Sequence, residues 1–193
     1  MVWVSAAMSE QQVISLTIEG FVLRPYQFGD EASIVRHANN AKIAAKLRDR
    51  FPHPYTAESA NQWLRFAVNE QPVTNLAIAN PSGVIGGIGV ILQSDIHRRS
   101  AEIGYWLGEE FWGRGIATAA IRAFVPFAMR EFDLLRIFAN VFVSNPASMR
   151  VLEKVGFVLE GTLRQAVFKD GRVIDEVLYA ITRDDLSRRV MKM

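Results

Sequence analysis

The chain contains no cysteine, which excludes disulfides, thiol nucleophiles and thiolate metal sites. Histidine is nearly as scarce. His37, His53 and His97 lie far apart in the sequence and suggest no metal cluster, so no metal is expected. Long apolar runs are missing too: the longest, Val84 to Leu92, is about half of the ~20 residues a membrane helix needs. Nor is there an excess of one charge. The 22 basic and 20 acidic residues leave a formal +2, far from the dense basic stripe of a nucleic-acid binder and only a weak pointer to an anionic ligand. The opening MVWVSAAMSE has no basic segment and too short an apolar stretch for a signal peptide. Residues 1–12 are expected to form a disordered leader, with Met8 an alternative start and the cytoplasm the default location. No repeat, low-complexity stretch or proline-rich linker divides the rest, so 13–193 is expected to be one domain, monomeric or homodimeric. A chain of 193 residues can build a full core without metal or disulfide staples.

Periodicity supplies the elements. Ile14 to Leu23 alternates apolar and polar residues and predicts a first strand. Asp30 is placed to cap a helix to about Asn39, a second short helix fits Ala41 to Arg48, and Thr56 caps a third with Trp63, Leu64, Ala67 and Val68 as its stripe. Strands follow at Asn75–Ala79 and Val84–Leu92 around Asn80-Pro81-Ser82-Gly83, then at Ala101–Leu107. A long helix from Gly115 to about Glu131 contains Pro126, which should kink or break it. Next come a strand at Arg136–Val143, a helix at Pro146–Lys154 stopped by Gly156, and a hairpin of Phe157–Phe168 with Val173–Ile181, followed by a basic tail. Antiparallel runs with two helical crossovers make this a mixed α/β (α+β) sheet protein.

The segment AEIGYWLGEEFWGRGIATAAI, residues 101–121, runs from a strand through Gly113 and Gly115 straight into a helix. Such a turn converges backbone N–H groups at a helix N-terminus and suits a phosphate or pyrophosphate. A Walker loop is excluded, because no Lys-Ser or Lys-Thr pair exists in the chain. A Rossmann fingerprint fails as well: from Gly113 its last position falls on Thr118, and no early βαβ unit precedes it. A plain strand-turn-helix with glycines for packing remains open.

The run Trp112-Gly113-Arg114-Gly115-Ile116-Ala117 resembles the acyl-CoA pyrophosphate loop of the GNAT N-acetyltransferase superfamily, Gln/Arg-x-x-Gly-x-Gly/Ala, with tryptophan where Gln or Arg is usual. GYWL before it and FWGRGIATAA across it resemble the branch that acetylates the N-termini of ribosomal proteins. So does Asn145-Pro146-Ala147-Ser148-Met149-Arg150 followed by LEKVGF. A third block is LRP at 23–25, with Asp30, Asn39-Asn40 and PYT ahead of Trp63-Leu64. The resemblance covers roughly residues 14–181 in the family's order.

It implies a GNAT-like fold, a mostly antiparallel sheet splayed into a V with flanking helices, and acetyl-CoA as cosubstrate. Backbone groups of Tyr105, Trp106 and Leu107 would face the pantetheine arm. The loop from Trp112, through the N–H groups of Gly113, Arg114, Gly115, Ile116 and Ala117, would hold the pyrophosphate, helped by the Thr118 hydroxyl. Arg114 either approaches a phosphate or points into water. Asn145 bonds the pantetheine, caps its helix, or does both. Many superfamily members protonate the leaving thiolate with a tyrosine seven residues after the asparagine, but here that count reaches Leu152. Ser148 matches the branch's serine and is the replacement donor, unless it only satisfies local backbone. Glu102, alternating with Gly104 and Trp106 on one strand face, is the candidate general base, or else the partner of an arginine. Glu109 and Glu110, in the following loop, are read as solvent-facing, and His97 as a surface residue.

The resemblance thus implies direct acetyl transfer to a primary amine without an acyl-enzyme. Protein N-terminal α-amines lead as acceptors. Polyamines, aminoglycoside-like drugs and other small amines stay open, as does a non-catalytic CoA- or peptide-binding module.

Overall fold

The computed structural model describes residues 13–190, so the expected leader at 1–12 lies outside the described residues. Eight strands form one sheet in the order β1-β2-β3-β4-β5-β6-β8-β7. They are β1 (Ile14–Ser15), β2 (Val22–Arg24), β3 (Asn75–Asn80), β4 (Gly83–Leu92), β5 (Ser100–Leu107), β6 (Arg136–Phe142), β7 (Val158–Lys169) and β8 (Arg172–Thr182). Every neighbouring pair is antiparallel except β5 and β6. The helices are α1 (Glu31–Ala38), α2 (Ala41–Ala44), α3 (Ala57–Ala67), α4 (Ile116–Glu131), α5 (Pro146–Val155) and α6 (Arg183–Val190). The expected α+β architecture is the one observed.

Alternation along the strands divides the core between the two faces of the sheet. On one face Ile103, Ile137, Ala139, Val141, Val177 and Tyr179 meet Ile121 and Phe124 of α4 and Leu152 of α5. On the other, Tyr26, Ala77 and Val84 meet Ile34 of α1 and Leu64 of α3. No described helix is long and apolar enough to cross a membrane.

Four expectations need correction. The single strand at 14–23 is a hairpin: Gly20, at φ +81°, turns the chain, and Leu16 N–H donates to Phe21 O at 3.0 Å. Alternation persists through such a turn, so periodicity alone does not see it. The helix expected from Ala41 to Arg48 stops at Ala44, where Lys46 and Leu47 bond three residues back and the chain unwinds. Arg48 is thereby released from any helix face. Of the two effects expected of Pro126, a break does not occur, because α4 runs on through it. Pro126 has no N–H to offer the Arg122 carbonyl, and both residues are exposed, so the missing bond lies on the solvent side, where water can replace it. The expected basic tail begins with α6, started by Thr182 and Asp185: Thr182 N–H and Oγ1 donate to Asp185 Oδ2 at 2.9 and 2.6 Å.

Asp30 does precede α1, but its side chain makes no capping bond. Instead it receives a two-pronged fork from Arg24 at 2.6 and 2.8 Å and the Gln27 N–H at 3.0 Å. This ties β2 to the start of α1, with Asp30 only 4% exposed. Removing one partner of such a buried pair strands the other's charge. Asp30→Ala is therefore expected to lower unfolding free energy by about 3 kcal/mol, read as a lower urea midpoint with an unchanged slope.

Candidate active site

The sheet comes apart in its middle. β5 and β6 pair in parallel only through Ser100–Arg136, Ala101–Ile137 and Glu102–Phe138. Beyond those pairs each strand stays with its outer neighbour, β5 with β4 as far as Leu107–Gly86 and β6 with β8 as far as Phe142–Glu176. A cleft therefore opens between residues 103–107 and 139–142. Two residues past the last pair stands Asn140, whose buried Oδ1 has no hydrogen-bond partner in the structure.

At the open end β5 passes through a single 3₁₀ turn (Glu109–Phe111) into the glycine loop and α4. Gly113 and Gly115 have φ of +73° and +79°, a region that costs other residues strain. A Cβ on Gly113 would meet nothing within 4 Å, and one on Gly115 only Ile18 Cδ1 at 3.7 Å. The loop surface above the α4 N-terminus is thus open, and its backbone donors and helix dipole fit a pyrophosphate. Trp112 Nε1 donates to Leu107 O at 2.8 Å and fastens the loop to the strand end. Of the three strand-end residues expected to face pantetheine, Leu107 already has its carbonyl engaged. The Arg114 guanidinium lies over Phe111 and Phe21, 5.5 and 5.9 Å from the ring centroids, a cation–π seat beside the loop. Ile116 could offer a ligand only its backbone, because its side chain is core. Ala117 and Thr118 are half-buried in the first turn of α4.

On the α4/α5 side of the cleft, Tyr105 OH is 2.6 Å from Ser148 Oγ. Asn145 caps α5, its Oδ1 accepting from Ser148 N–H at 3.3 Å. Ser148 therefore bonds across to β5 rather than only to its own helix. Burial pushes the Tyr105 phenol up to about 12, against a smaller opposing effect of the Ser148 bond. Tyr105 remains a protonated donor at any physiological pH.

Glu102 lies on the opposite face, its side chain 15% exposed and paired with Arg48 from the segment between α2 and α3. Trp106, on the same face, packs against Phe51, with ring centroids 5.7 Å apart.

These features meet the known proteins at one place. The family model described as an acetyltransferase (GNAT) domain matches residues 21–158. The chain belongs to the GNAT acetyltransferase family. It is 40% identical over 95 residues to the ribosomal-protein-serine acetyltransferase of Escherichia coli, covering 48% of this chain and 53% of that one. The chain spans about half the length of the curated relatives it matches. Among solved structures, Mycobacterium smegmatis RimJ in complex with CoA-disulfide superposes with a TM-score of 0.80 at 26% identity, covering 95% of each chain. Spermidine N-acetyltransferase of Vibrio cholerae, solved with CoA and spermine, gives 0.72 at 25% identity, covering 87% of this chain and 98% of that one.

Within this GNAT fold the expected residues fall into three groups. Residues 112–118 form the loop and the first turn of α4, Tyr105, Asn145 and Ser148 meet on one side of the cleft, and Glu102 with Trp106 lies on the other. Glu109 and Glu110 do more than face solvent. Glu109 accepts from Asn40 at 2.7 Å and pairs with Lys42, while Glu110 is 3.1 Å from His37 Nδ1, so the two brace α1 and α2 against the loop. His97 is exposed in a 3₁₀ turn. Among the described residues no group of three His, Asp or Glu is placed to hold a metal. Sequence reasoning missed the Tyr105 side chain and Arg48. The first was readable, because alternation from Glu102 puts Tyr105 on the α5 face. Arg48 was not, because its helix was expected to continue.

Gly115→Val places a branched Cβ at positive φ beside the open cradle. It is expected to lower affinity for CoA at least about tenfold, from strain and from blocked N–H groups. Titration calorimetry checks this, with the thermal midpoint as a folding control. Unchanged affinity would remove the loop from the CoA site.

Proposed function

We propose that this protein transfers the acetyl group of acetyl-CoA to a primary amine by direct attack, and that the acceptor is the α-amine of a protein or peptide N-terminus. The observation that carries the reading is the parted sheet, with a hydroxyl pair on one side of the cleft and a carboxylate on the other. A ternary complex needs this division, because the thiolate must gain a proton on one side while the amine loses one on the other. Without cysteine, and with Ser148 bonded to a tyrosine rather than a histidine, nothing supports a covalent acyl-enzyme.

Acetyl-CoA supplies an activated acyl group, and the rest is done by the chain's own residues. The loop N–H groups from Gly113 to Ala117 hold the pyrophosphate. The cleft-facing backbone of β5 orients the pantetheine arm. Ser148 Oγ–H donates to the departing sulfur while Tyr105 OH, behind it, donates to Ser148 Oγ. Glu102 accepts the amine's proton, which requires Arg48 to leave its carboxylate, since a carboxylate engaged by a guanidinium is a poor proton acceptor. Little basicity is needed for an α-amine: with a pKa near ~7.8, about one-seventh is neutral at pH 7, against under ~0.1% for a lysine near ~10.4.

The E. coli relative's name, a ribosomal-protein-serine acetyltransferase, supports an N-terminal acceptor. The spermidine enzyme's similar fold keeps polyamines in view. Thiol release from acetyl-CoA across Ala-, Ser- and Lys-initiated peptides and spermidine tests the choice. Turnover on α-amine peptides is expected. Transfer to spermidine alone would move the acceptor, and CoA binding without any turnover would make the fold a binding module.

Two variants probe the chemistry. Ser148→Ala is expected to lower kcat about 10²-fold with little change in acetyl-CoA affinity, and a wild-type rate would leave the serine structural. Glu102→Gln is expected to lose most rate near neutrality and to recover as pH rises, because the amine then arrives already neutral. A mutant-to-wild-type ratio that stays flat across pH would exclude a base role.

A further inference from the structure

The sheet face that carries Glu102 continues past the cleft onto β6 and β8. In register, Glu102 stands beside Phe138 of β6, and Phe142 of β6 stands beside Glu176 of β8. Because paired residues share a face and alternate residues return to it, Glu102, Asn140 and Glu176 lie on one face, on a diagonal across three strands that runs from the last β5–β6 pair to the open end of the cleft. All three present acceptor oxygens. The Asn140 Oδ1 is buried and unpartnered. Glu176 is half-buried on the inner strand of the terminal hairpin. Two carboxylates and an unpartnered amide oxygen on one face suit a cation.

One cation is already there. Arg48 pairs with Glu102, and its charge also reaches Glu176. Burial raises the Glu176 carboxyl, Arg48 draws it down and Glu102 pushes it up. Arg48 hangs from a strap pinned on either side of it. Lys46 Nζ donates to Ser144 O at 2.6 Å, in the connection between β6 and α5, and Asp49 pairs at 2.6 Å with Lys169 at the end of β7. The Arg48 side chain is 49% exposed while that of Glu102 is 15% exposed. The guanidinium therefore has solvent to swing into, and the carboxylate does not.

We infer that Glu176 is a specificity-determining residue of the acceptor subsite: with Glu102 and Asn140 it binds the amine as its ammonium, in the place that Arg48 holds before the acceptor arrives. Glu176 lies outside the stretch matched by the family model, residues 21–158, so membership of the family does not itself assign it this role. Its part is binding rather than proton transfer. The ammonium gives up its proton to Glu102 once Arg48 has swung away. The strap then acts as a placeholder that keeps two carboxylates compensated until a cationic acceptor replaces it.

This rests on the acetyl-transfer reading above, and the test separates the two. Steady-state kinetics are measured for wild type, Glu176→Gln, Glu176→Asp and Arg48→Ala, with an Ala-initiated peptide and with spermidine, alongside acetyl-CoA binding and thermal midpoints. Glu176→Gln is expected to raise the acceptor KM about tenfold, with kcat and acetyl-CoA affinity within about twofold. Glu176→Asp, which keeps the charge, should recover much of the loss and serves where the amide variant folds poorly. Arg48→Ala should move the KM the other way, lowering it severalfold, because the competing cation is gone. An unchanged KM in Glu176→Gln overturns the proposal, and so does a KM raised by Arg48→Ala as much as by Glu176→Gln. Wild-type enzyme that acetylates spermidine alone replaces the acceptor of the earlier reading, while the same comparison, made on spermidine, still decides Glu176. Transfer to neither amine overturns both.

Discussion

The parting of β5 from β6 after the Glu102–Phe138 pair is the constraint on which the rest of the molecule depends. Each strand remains held by its outer neighbour, so the separation costs only the hydrogen bonds of the cleft itself. In exchange, the middle of an otherwise continuous sheet offers backbone groups and side chains from both of its faces to one gap. The glycine loop follows from the same geometry. β5 ends at the mouth of the gap, and the chain must turn sharply into α4, which points a helix N-terminus at whatever enters.

The two faces are suited to different chemistry because they are packed differently. Behind the α4/α5 face lies the large apolar cluster, so the Tyr105 hydroxyl is desolvated and pairs with that of part-buried Ser148. That environment keeps the phenol protonated and suits donation to a leaving group. The opposite face is only partly roofed by α1 and α3. Beyond them a polar strap carrying Lys46, Arg48 and Asp49 crosses it. Water and charge reach that side, as the proposed entry of a cationic amine would require.

Much of this was legible in the residues. Turn signals at Asn80–Gly83 and at Lys169–Arg172, and the stop at Gly156, placed the strands and helices of the second half within a residue or two, because local backbone chemistry decides them. The loop and the Asn145/Ser148 pair were readable as motifs. What escaped depends on distance along the chain. Tyr105 meets Ser148 across 43 residues and Arg48 meets Glu102 across 54. Arg48 was further hidden because α2 ends a turn early, which periodicity does not report. Glu176 was invisible for a related reason: a glutamate on a C-terminal strand acquires meaning only when register sets it on one face with Glu102.

A crystal structure of the protein with CoA addresses the central claim most directly. The account predicts the pyrophosphate on the N–H groups of Gly113–Ala117, the pantetheine arm along residues 103–107 of β5, and the sulfur within about 4 Å of Ser148 Oγ. It predicts Glu102 on the far side of the sulfur. CoA bound outside the β5/β6 cleft, or a sulfur remote from both Ser148 and Glu102, would contradict it.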